Sequence, residues 1–414
     1  MEKKNQVVIV GAARTPVGAY LGALKTVPAT ELGRIALEEA IKRAGVQKSD
    51  INEVIVGHVD GAQTANNLGR IIAINAGLDH QSTGFTVNRI CGSGIQSAVS
   101  AAHELLLMDH VKFVAAGGVE TLSRAPYYLP VSVRWEGLRM GDAKVIDAND
   151  EGHRTASGFP NKDIWHMGIT AENVVEKYGI TREEQDHFAY DSQMKAKAAI
   201  ESGRLAHEII PVEVKGKKDS VTVVDTDEHP KPHTTMEGLA KLRPVFKPDG
   251  GTITAGNASG LNDGAAFEIF TTEDVAEERG LEIMARVVDY SIMGCDPRLM
   301  GLGPVEPIRL LLERNHLTLD TLDMLEINEA FAGQTLGCMR ELEIDFDSQR
   351  YQRLNPNGGA VALGHPLGMS GARIITSICY EFKLHPEKRY AIASACIGGG
   401  QGIAMLLENG YYKK

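Results

Sequence analysis

Two stretches far apart in the chain follow the same plan, and that repetition restricts the fold more than any other feature. "NRICGSGIQSAVSAAHEL", then "KFVAAGGVE", runs from a glycine-punctuated turn through a small-residue helix into an apolar strand and a glycine-rich loop. "LGHPLGMSGARIITSICYEF", then "RYAIASACIGGGQG", repeats the plan near the carboxyl end, by order of elements rather than by identity. Around the first copy, "QVVIVGAA" reads as a buried strand, "ATELGRIALEEAIKRAGV" as a helix with a glycine near its end, and "INEVIVGHV" as a further strand. Strands alternating with helices imply an α/β protein. A duplicated pair of such units brings the turns carrying Cys91 and His365 to one edge of a shared layered core, and ligands in such sheets bind beyond the carboxyl ends of the strands.

Between the copies, from about Ser123 to Gly251, the texture changes to aromatics, prolines and polar runs, as in "SRAPYYLPVSVRWEG" and "DTDEHPKPHTTMEG". A long irregular insertion in an α/β domain usually carries binding function. A chain of 414 residues is too long for one compact core. Its 43% hydrophobic and 23% charged content is that of a water-soluble enzyme, and no signal peptide or membrane span is read in it. The net charge of −11 argues against non-specific nucleic-acid binding, which needs a basic face, while leaving room for a local basic patch that meets a phosphorylated ligand. Five cysteines, at 91, 295, 338, 379 and 396, show neither a CxxC nor a metal-ligand spacing, and are expected to be reduced thiols in the cytoplasm.

Three glycine-rich turns hold the chemistry. Cys91 stands at a strand-to-helix turn, where free amides and the helix dipole are expected to lower its pKa and make it a nucleophile. Gly92 and Gly94 are read as clearance for a substrate, and the Cys91 amide as an oxyanion donor. His365, between Gly364 and Pro366, is placed to take a thiol proton. Cys396 precedes three glycines whose amides suit an anion nest, and "INEAFAG" sets Asn328 and Glu329 at a strand end, where an amide can hold a water. Taken singly, each residue also fits a structural role: a small buried thiol, a loop histidine, a strand-end cysteine, a helix cap.

Together these turns resemble the thiolases, thioester-dependent Claisen condensing enzymes. "VGAARTPVG", "NRICGSG", "GGVETLS", "HMG", "KLRPVF", "TAGNASGLNDGAA", "GLGP", "NEAFA", "NGGAVALGHPLGMSG" and "CIGGGQG" occur in the family's order over nearly the whole chain. The resemblance implies two duplicated α/β halves in a five-layered αβαβα core with a lid: residues 1–122 with 254–278 as the first half, 123–253 as the lid that covers coenzyme A, and 279–414 as the second half. It implies Cys91 as the acyl-accepting nucleophile, His365 as its base and Cys396 as the acid/base at the α-carbon. One oxyanion site would use His365 with a water held by Asn328, and another the amides of Cys91 and Gly398. For the coenzyme A thioester it implies His166 and Met167 at the acyl pocket, Ser259 at the pantetheine, and Met300 and Phe331 at the floor.

The expected activity is that of an acetyl-CoA C-acetyltransferase, short-chain and biosynthetic in type, condensing two acetyl-CoA to acetoacetyl-CoA and CoA by ping-pong covalent catalysis, or cleaving in reverse. A broader-chain 3-ketoacyl-CoA thiolase of β-oxidation is the alternative, and a non-catalytic CoA-binding relative a further one. The expected setting is a cytoplasmic homo-oligomer, dimer or tetramer, in fatty-acid metabolism, with CoA as substrate, no required cofactor, no metal, and no nucleic-acid or membrane partner. Ketoacyl synthases and hydroxymethylglutaryl-CoA synthase are disfavoured because Cys396 stands where they carry other residue types. Three stretches depart from the family pattern. Lys231 replaces an arginine that meets CoA phosphate, keeping charge but not fork geometry. The segments "NDEGHRTASGFPNKDIW" and "ELEIDFDSQRYQRLNPNGG" do not match the usual sequences.

Overall fold

The computed structural model describes residues 6–60, 65–156 and 166–413. In the first half lie β1 (Val7–Arg14), α1 (Ala29–Ala44), β2 (Glu53–Gly57), α2 (Leu68–Asn75), β3 (Thr83–Val87), α3 (Ser93–Leu107) and β4 (Val114–Thr121). The insertion contains α4 (Ala148–Thr155), α5 (Met167–Tyr178) and α6 (Arg182–Glu201), and β5 (Asn262–Thr272) returns to the first half. The second half comprises β6 (Ala285–Gly294), α7 (Val305–Arg314), β7 (Met324–Ile327), α8 (Ala332–Glu341), α9 (Leu367–Leu384), β8 (Tyr390–Ile397) and β9 (Gln401–Asn409). The insertion is thus less irregular than its composition implies. α6 starts with a complete capping box, in which Thr181 and Glu184 satisfy each other's backbone amides.

Strand order proves the duplication that the sequence only hints at. The first half runs β1-β5-β4-β2-β3 and the second β6-β9-β8-β7. In both, the first two neighbouring pairs are antiparallel and the third is parallel. Even β3, which extends the first half, has a vestigial counterpart, since Leu354 forms an isolated parallel bridge to Leu325. Two residue pairs, Val8 with Arg286 and Ile9 with Ala285, join the halves edge to edge.

Side-chain alternation along the strands then builds five layers. On β1, Ile9 faces the middle layer while Val8 and Val10 face α1. α3 and α9 form that middle layer: Ile95 and Val99 pack with Ile374 and Ile378 between strands of both halves. α1, through Leu32, Ala36 and Leu37, covers the outside of the first sheet; α7 and α8, through Ile308, Leu311 and Leu336, cover the second. Each fully buried aliphatic side chain of this kind contributes about 1.5–3 kcal/mol.

The packing of α3 against α9 and β8 explains two glycines, Gly94 and Gly92, that are expected above to give a substrate clearance. A Cβ at Gly94 would lie 2.4 Å from the Ala372 nitrogen, one at Gly371 2.4 Å from that of Ile95, and one at Gly92 2.6 Å from Ile397. Their bareness serves helix and strand packing, not substrate clearance. The consequence is that the amino ends of α3 and α9 are held at backbone contact distance, and Cys91 and His365, just ahead of them, line one cavity.

Candidate active site

A cavity of about 720 Å³ opens where the turns after β2, β3 and β8 meet the insertion. Cys91, His365 and Gly398 line it together with His166, Met167, Ser259, Met300 and Phe331.

Cys91 owes its position to a pinned turn. Ile90 has a φ of 46°, a costly conformation for a β-branched residue. Ser93 holds the turn: its Oγ accepts from the Arg89 amide at 2.8 Å and donates to the Ile90 carbonyl at 2.6 Å. The resulting thiol is half-buried at the cavity wall. Burial pushes it up to about 12, against the pull of the Gly398 amide and its own amide, with the charge of Glu120 adding to the rise. The expected lowering is therefore reversed: the turn supplies the donors, but desolvation outweighs them. The amides of Gly398 and of Cys91 itself nevertheless lie beside the sulfur and favour its charged form.

His365 N–H donates to Asn262 Oδ1 at 2.9 Å, which fixes the loop ahead of α9. Its ring joins a chain of three contacts: Asn328 Nδ2 to His365 Nε2 at 3.3 Å, His365 Nδ1 to Ser370 Oγ at 2.6 Å, and Ser370 Oγ to the Pro366 carbonyl at 2.9 Å. The Pro366 carbonyl can only accept, so Ser370 donates to it and receives the Nδ1 hydrogen, leaving Nε2 as an acceptor. Burial, aided by the positive potential of His153 and Arg373, drives the imidazole down to about 3 and keeps it neutral. Asn328 is not a helix cap: its backbone amide donates to the Ser394 carbonyl at 3.0 Å at the end of β7, and its Oδ1 is buried without a partner among the described residues.

Cys396, at the end of β8, is fully buried with Met300, Ala330 and Phe331, and burial raises its thiol well above the ordinary range. His166 caps α5, its Nδ1 accepting the Gly168 amide at 3.1 Å, and burial lowers its pKa to about 4. Ser259 donates its amide to the Ala330 carbonyl at 3.0 Å, beside the bridge between Ala258 and Phe331. Lys231 is the exception among the expected ligand residues. Its exposed side chain does not line the cavity, its amide donates to Gln193 Oε1, and the neighbouring His229 is what touches Gly260 at the cavity wall.

Several contributors escape a reading of the sequence alone. In the departing segment before "NGG", Asn355 adopts a φ of 44°, and its Nδ2 donates to the Ile327 carbonyl at 3.0 Å and to Glu329 Oε1 at 2.7 Å. Glu329 also accepts from Ser192 at 2.7 Å, so the Asn328 loop is braced by α6. Ser370 sits inside a quoted motif, where its spacing from His365 across a helix start is the available signal. Phe246, in "KLRPVF", and His153, in the other departing segment, line the cavity with no local pattern to announce them. Residues 157–165 of that segment lie outside the described residues.

Residues 7–274 match the family model for the thiolase N-terminal domain and residues 281–409 that for the thiolase C-terminal domain. The chain is 47% identical to the acetyl-CoA acetyltransferase of Syntrophomonas wolfei, over 98% of this chain and 99% of that protein. Among solved structures it resembles the Bacillus anthracis acetyl-CoA acetyltransferase, with a TM-score of 0.92, 43% identity, and coverage of 98% of this chain and 99% of that one. It also resembles human mitochondrial 3-ketoacyl-CoA thiolase in complex with CoA, with a TM-score of 0.90, 40% identity and 98% of each chain covered.

Proposed function

Because the chain belongs to the thiolase family, we propose that its cavity takes the acyl end of coenzyme A thioesters and that Cys91 carries the acyl group between them. The protein is an acyltransferase, an acetyl-CoA C-acetyltransferase that interconverts two acetyl-CoA with acetoacetyl-CoA and CoA. Coenzyme A is substrate and product, and no separate cofactor is required. The observation that carries the assignment of residues is that Cys91, His365 and Gly398 line one cavity, with the Gly398 amide beside the Cys91 thiol.

In cleavage, the Cys91 sulfur attacks C3 of acetoacetyl-CoA while its proton passes to His365 Nε2, the ring nitrogen that carries no hydrogen, and Asn328 Nδ2, which donates to it, gives way. The oxyanion on C3 is held by the amides of Cys91 and Gly398. As it collapses, the C2–C3 bond breaks, and Cys396 gives its proton to C2 of the departing acetyl-CoA enolate. A thiol kept protonated by burial suits that acid role. The enolate oxygen is stabilised by the hydrogen now on His365 Nε2, with Asn328 beside it. Free CoA then attacks acetyl-Cys91 and gives its proton to the Cys396 thiolate, the expelled Cys91 sulfur takes back the proton held on His365, and acetyl-CoA leaves. Synthesis runs these steps in reverse, and there Cys396 must ionise before it can remove the α-proton.

The apolar wall of Met167, Met300 and Phe331 supports an acyl pocket, Ser259 a contact to pantetheine, and Lys231, outside the cavity, a place along the distal phosphates of CoA. Residues 123–253 act as the lid on the two halves 1–122 with 254–278 and 279–414. A broader-chain 3-ketoacyl-CoA thiolase is the second reading, favoured by the likeness to the human enzyme. Homo-oligomerisation, as dimer or tetramer, is supported by β3 at the open edge of the sheet and by exposed Tyr127, Leu129, Val131, Trp135 and Met140. No helix among the described residues is long and apolar enough to cross a membrane. We read the location as cytoplasmic and the pathway as fatty-acid metabolism. The test is loss of acetoacetyl-CoA enolate absorbance on adding CoA to the purified protein, with Cys91→Ala as control. Cleavage by the natural sequence alone supports the reading; no cleavage overturns it.

A further inference from the structure

The helix α4 lies in a stretch that departs from the family pattern, and no step above uses it. It is held at both ends. Asp147 caps it, accepting the Asn149 amide at 3.0 Å, Asn149 Nδ2 donates to the Leu122 carbonyl at 3.0 Å, and Ala156 packs on the apolar cluster that contains Phe331 and Cys396. From this fixed helix His153 reaches the cavity, half-buried. Its Nδ1 lies 2.6 Å from the Asn149 carbonyl, which can only accept, so the ring is tied to its own helix by an N–H bond.

The ring is the first of four in contact. His153 stacks on His166 with centroids 5.3 Å apart and planes 8° from parallel. His166 stacks on Phe246 at 4.7 Å, and Phe246 meets Phe331 edge-on at 5.9 Å and 87°. All four line the cavity, and Met167 and Met300 join them there. Rings interlocked across separate segments do not retreat easily, and extra methylenes forced into such packing are resisted. We propose that His153 is a specificity-determining residue, the terminal ring that closes the acyl pocket to straight 3-ketoacyl chains longer than acetoacetyl. The inference rests on the reading of this cavity as a thiolase acyl site.

The test measures kcat and KM for thiolysis of acetoacetyl-CoA, 3-ketohexanoyl-CoA and 3-ketooctanoyl-CoA by the natural sequence, His153→Ala, His153→Val and His153→Phe. The natural sequence should favour the four-carbon substrate. Each truncation should raise the ratio of six-carbon to four-carbon kcat/KM by about tenfold or more, chiefly through KM of the longer chain, as a methylene-sized gain of space implies. His153→Phe, which keeps a flat ring, should keep the natural preference. Unchanged ratios in both truncations, or an equal fall for every chain length, overturn the proposal, as does a natural enzyme that already cleaves the eight-carbon chain as well as the four-carbon one. A natural enzyme that cleaves none of the three overturns the functional reading, and this inference with it; truncations without effect in an active enzyme overturn the role of His153 alone.

Discussion

Asn328 Nδ2 lies 3.3 Å from His365 Nε2, so the side chain expected to hold a water beside the histidine stands against the ring itself. That contact and the Ser370 contact on Nδ1 select the tautomer whose Nε2 can receive a proton. Asn328→Ala is expected to lower kcat about 100-fold with a smaller change in KM, since it removes a group that acts on the developing charge. Steady-state thiolysis kinetics check this; a change confined to KM would place Asn328 in ground-state binding.

Cys91→Ala should abolish cleavage while CoA still binds, because the nucleophile is lost and the cavity wall is kept. In the natural sequence, quenching with acetoacetyl-CoA in the absence of CoA should leave one acetyl group on the Cys91 peptide by mass spectrometry. Acetylation of Cys396 instead would reverse the assigned roles.

The pH dependence of kcat/KM follows from the depressed pKa of His365. The base form exists above about 3 and is lost only as pH falls through that value, so activity carries no His365 titration at the ordinary imidazole value of 6.5. Between about pH 5 and 7, Ser370→Ala is expected to leave the shape of the profile unchanged while lowering its height. An inflection near 6.5 that shifts in Ser370→Ala would show that His365 is not held neutral.

His58 is buried beside Glu120, whose carboxylate lies 3.1 Å away and also accepts the Gly368 amide at 2.9 Å, at the start of α9. Burial, the largest single influence, would lower the His58 pKa; the charge and hydrogen bond of Glu120, with the Val119 carbonyl and the charge of Asp60, together outweigh it and raise the value from 6.5 to about 9. A raised folded-state pKa stabilises fully below 6.5 and is lost as pH rises through about 9. The window is worth up to about 3 kcal/mol. Thermal melts from neutral to alkaline pH should therefore fall more steeply for the natural sequence than for His58→Gln, which cannot titrate. Parallel slopes would remove His58 as the cause.

Gly94→Ala should destabilise the protein by about 1–3 kcal/mol, since its Cβ would meet the Ala372 backbone rather than a side chain that can move. Denaturant midpoints measure this. Activity should fall with it, because the same crossing brings the turns of Cys91 and His365 to one cavity. A variant as stable as the natural sequence would mean that the helices can separate without cost.

What the sequence by itself determined was local and repetitive. The run "VVIVGAAR" is apolar on both faces and is a buried strand; "ALEEAIKRAG" has helical spacing, and Gly45 ends that helix with a φ of 71°. Repeated turn, helix and strand established the two halves, and the turn residues Cys91, His365 and Cys396 stood out because few bulky side chains surround them. Such patterns are legible because backbone geometry and side-chain period act within a few residues of one another. Tertiary structure decided the rest. The protonation of Cys91 and His365 depends on how much water other elements exclude, which no local pattern encodes, and so the expected lowering of the thiol pKa became a rise. The roles of Gly92 and Gly94 depend on Ile397 and Ala372, hundreds of residues away. His153 reaches His166 and Phe246 only because α4, α5 and the chain around Phe246 meet over one cavity, and contact between segments is set by packing, not by sequence spacing.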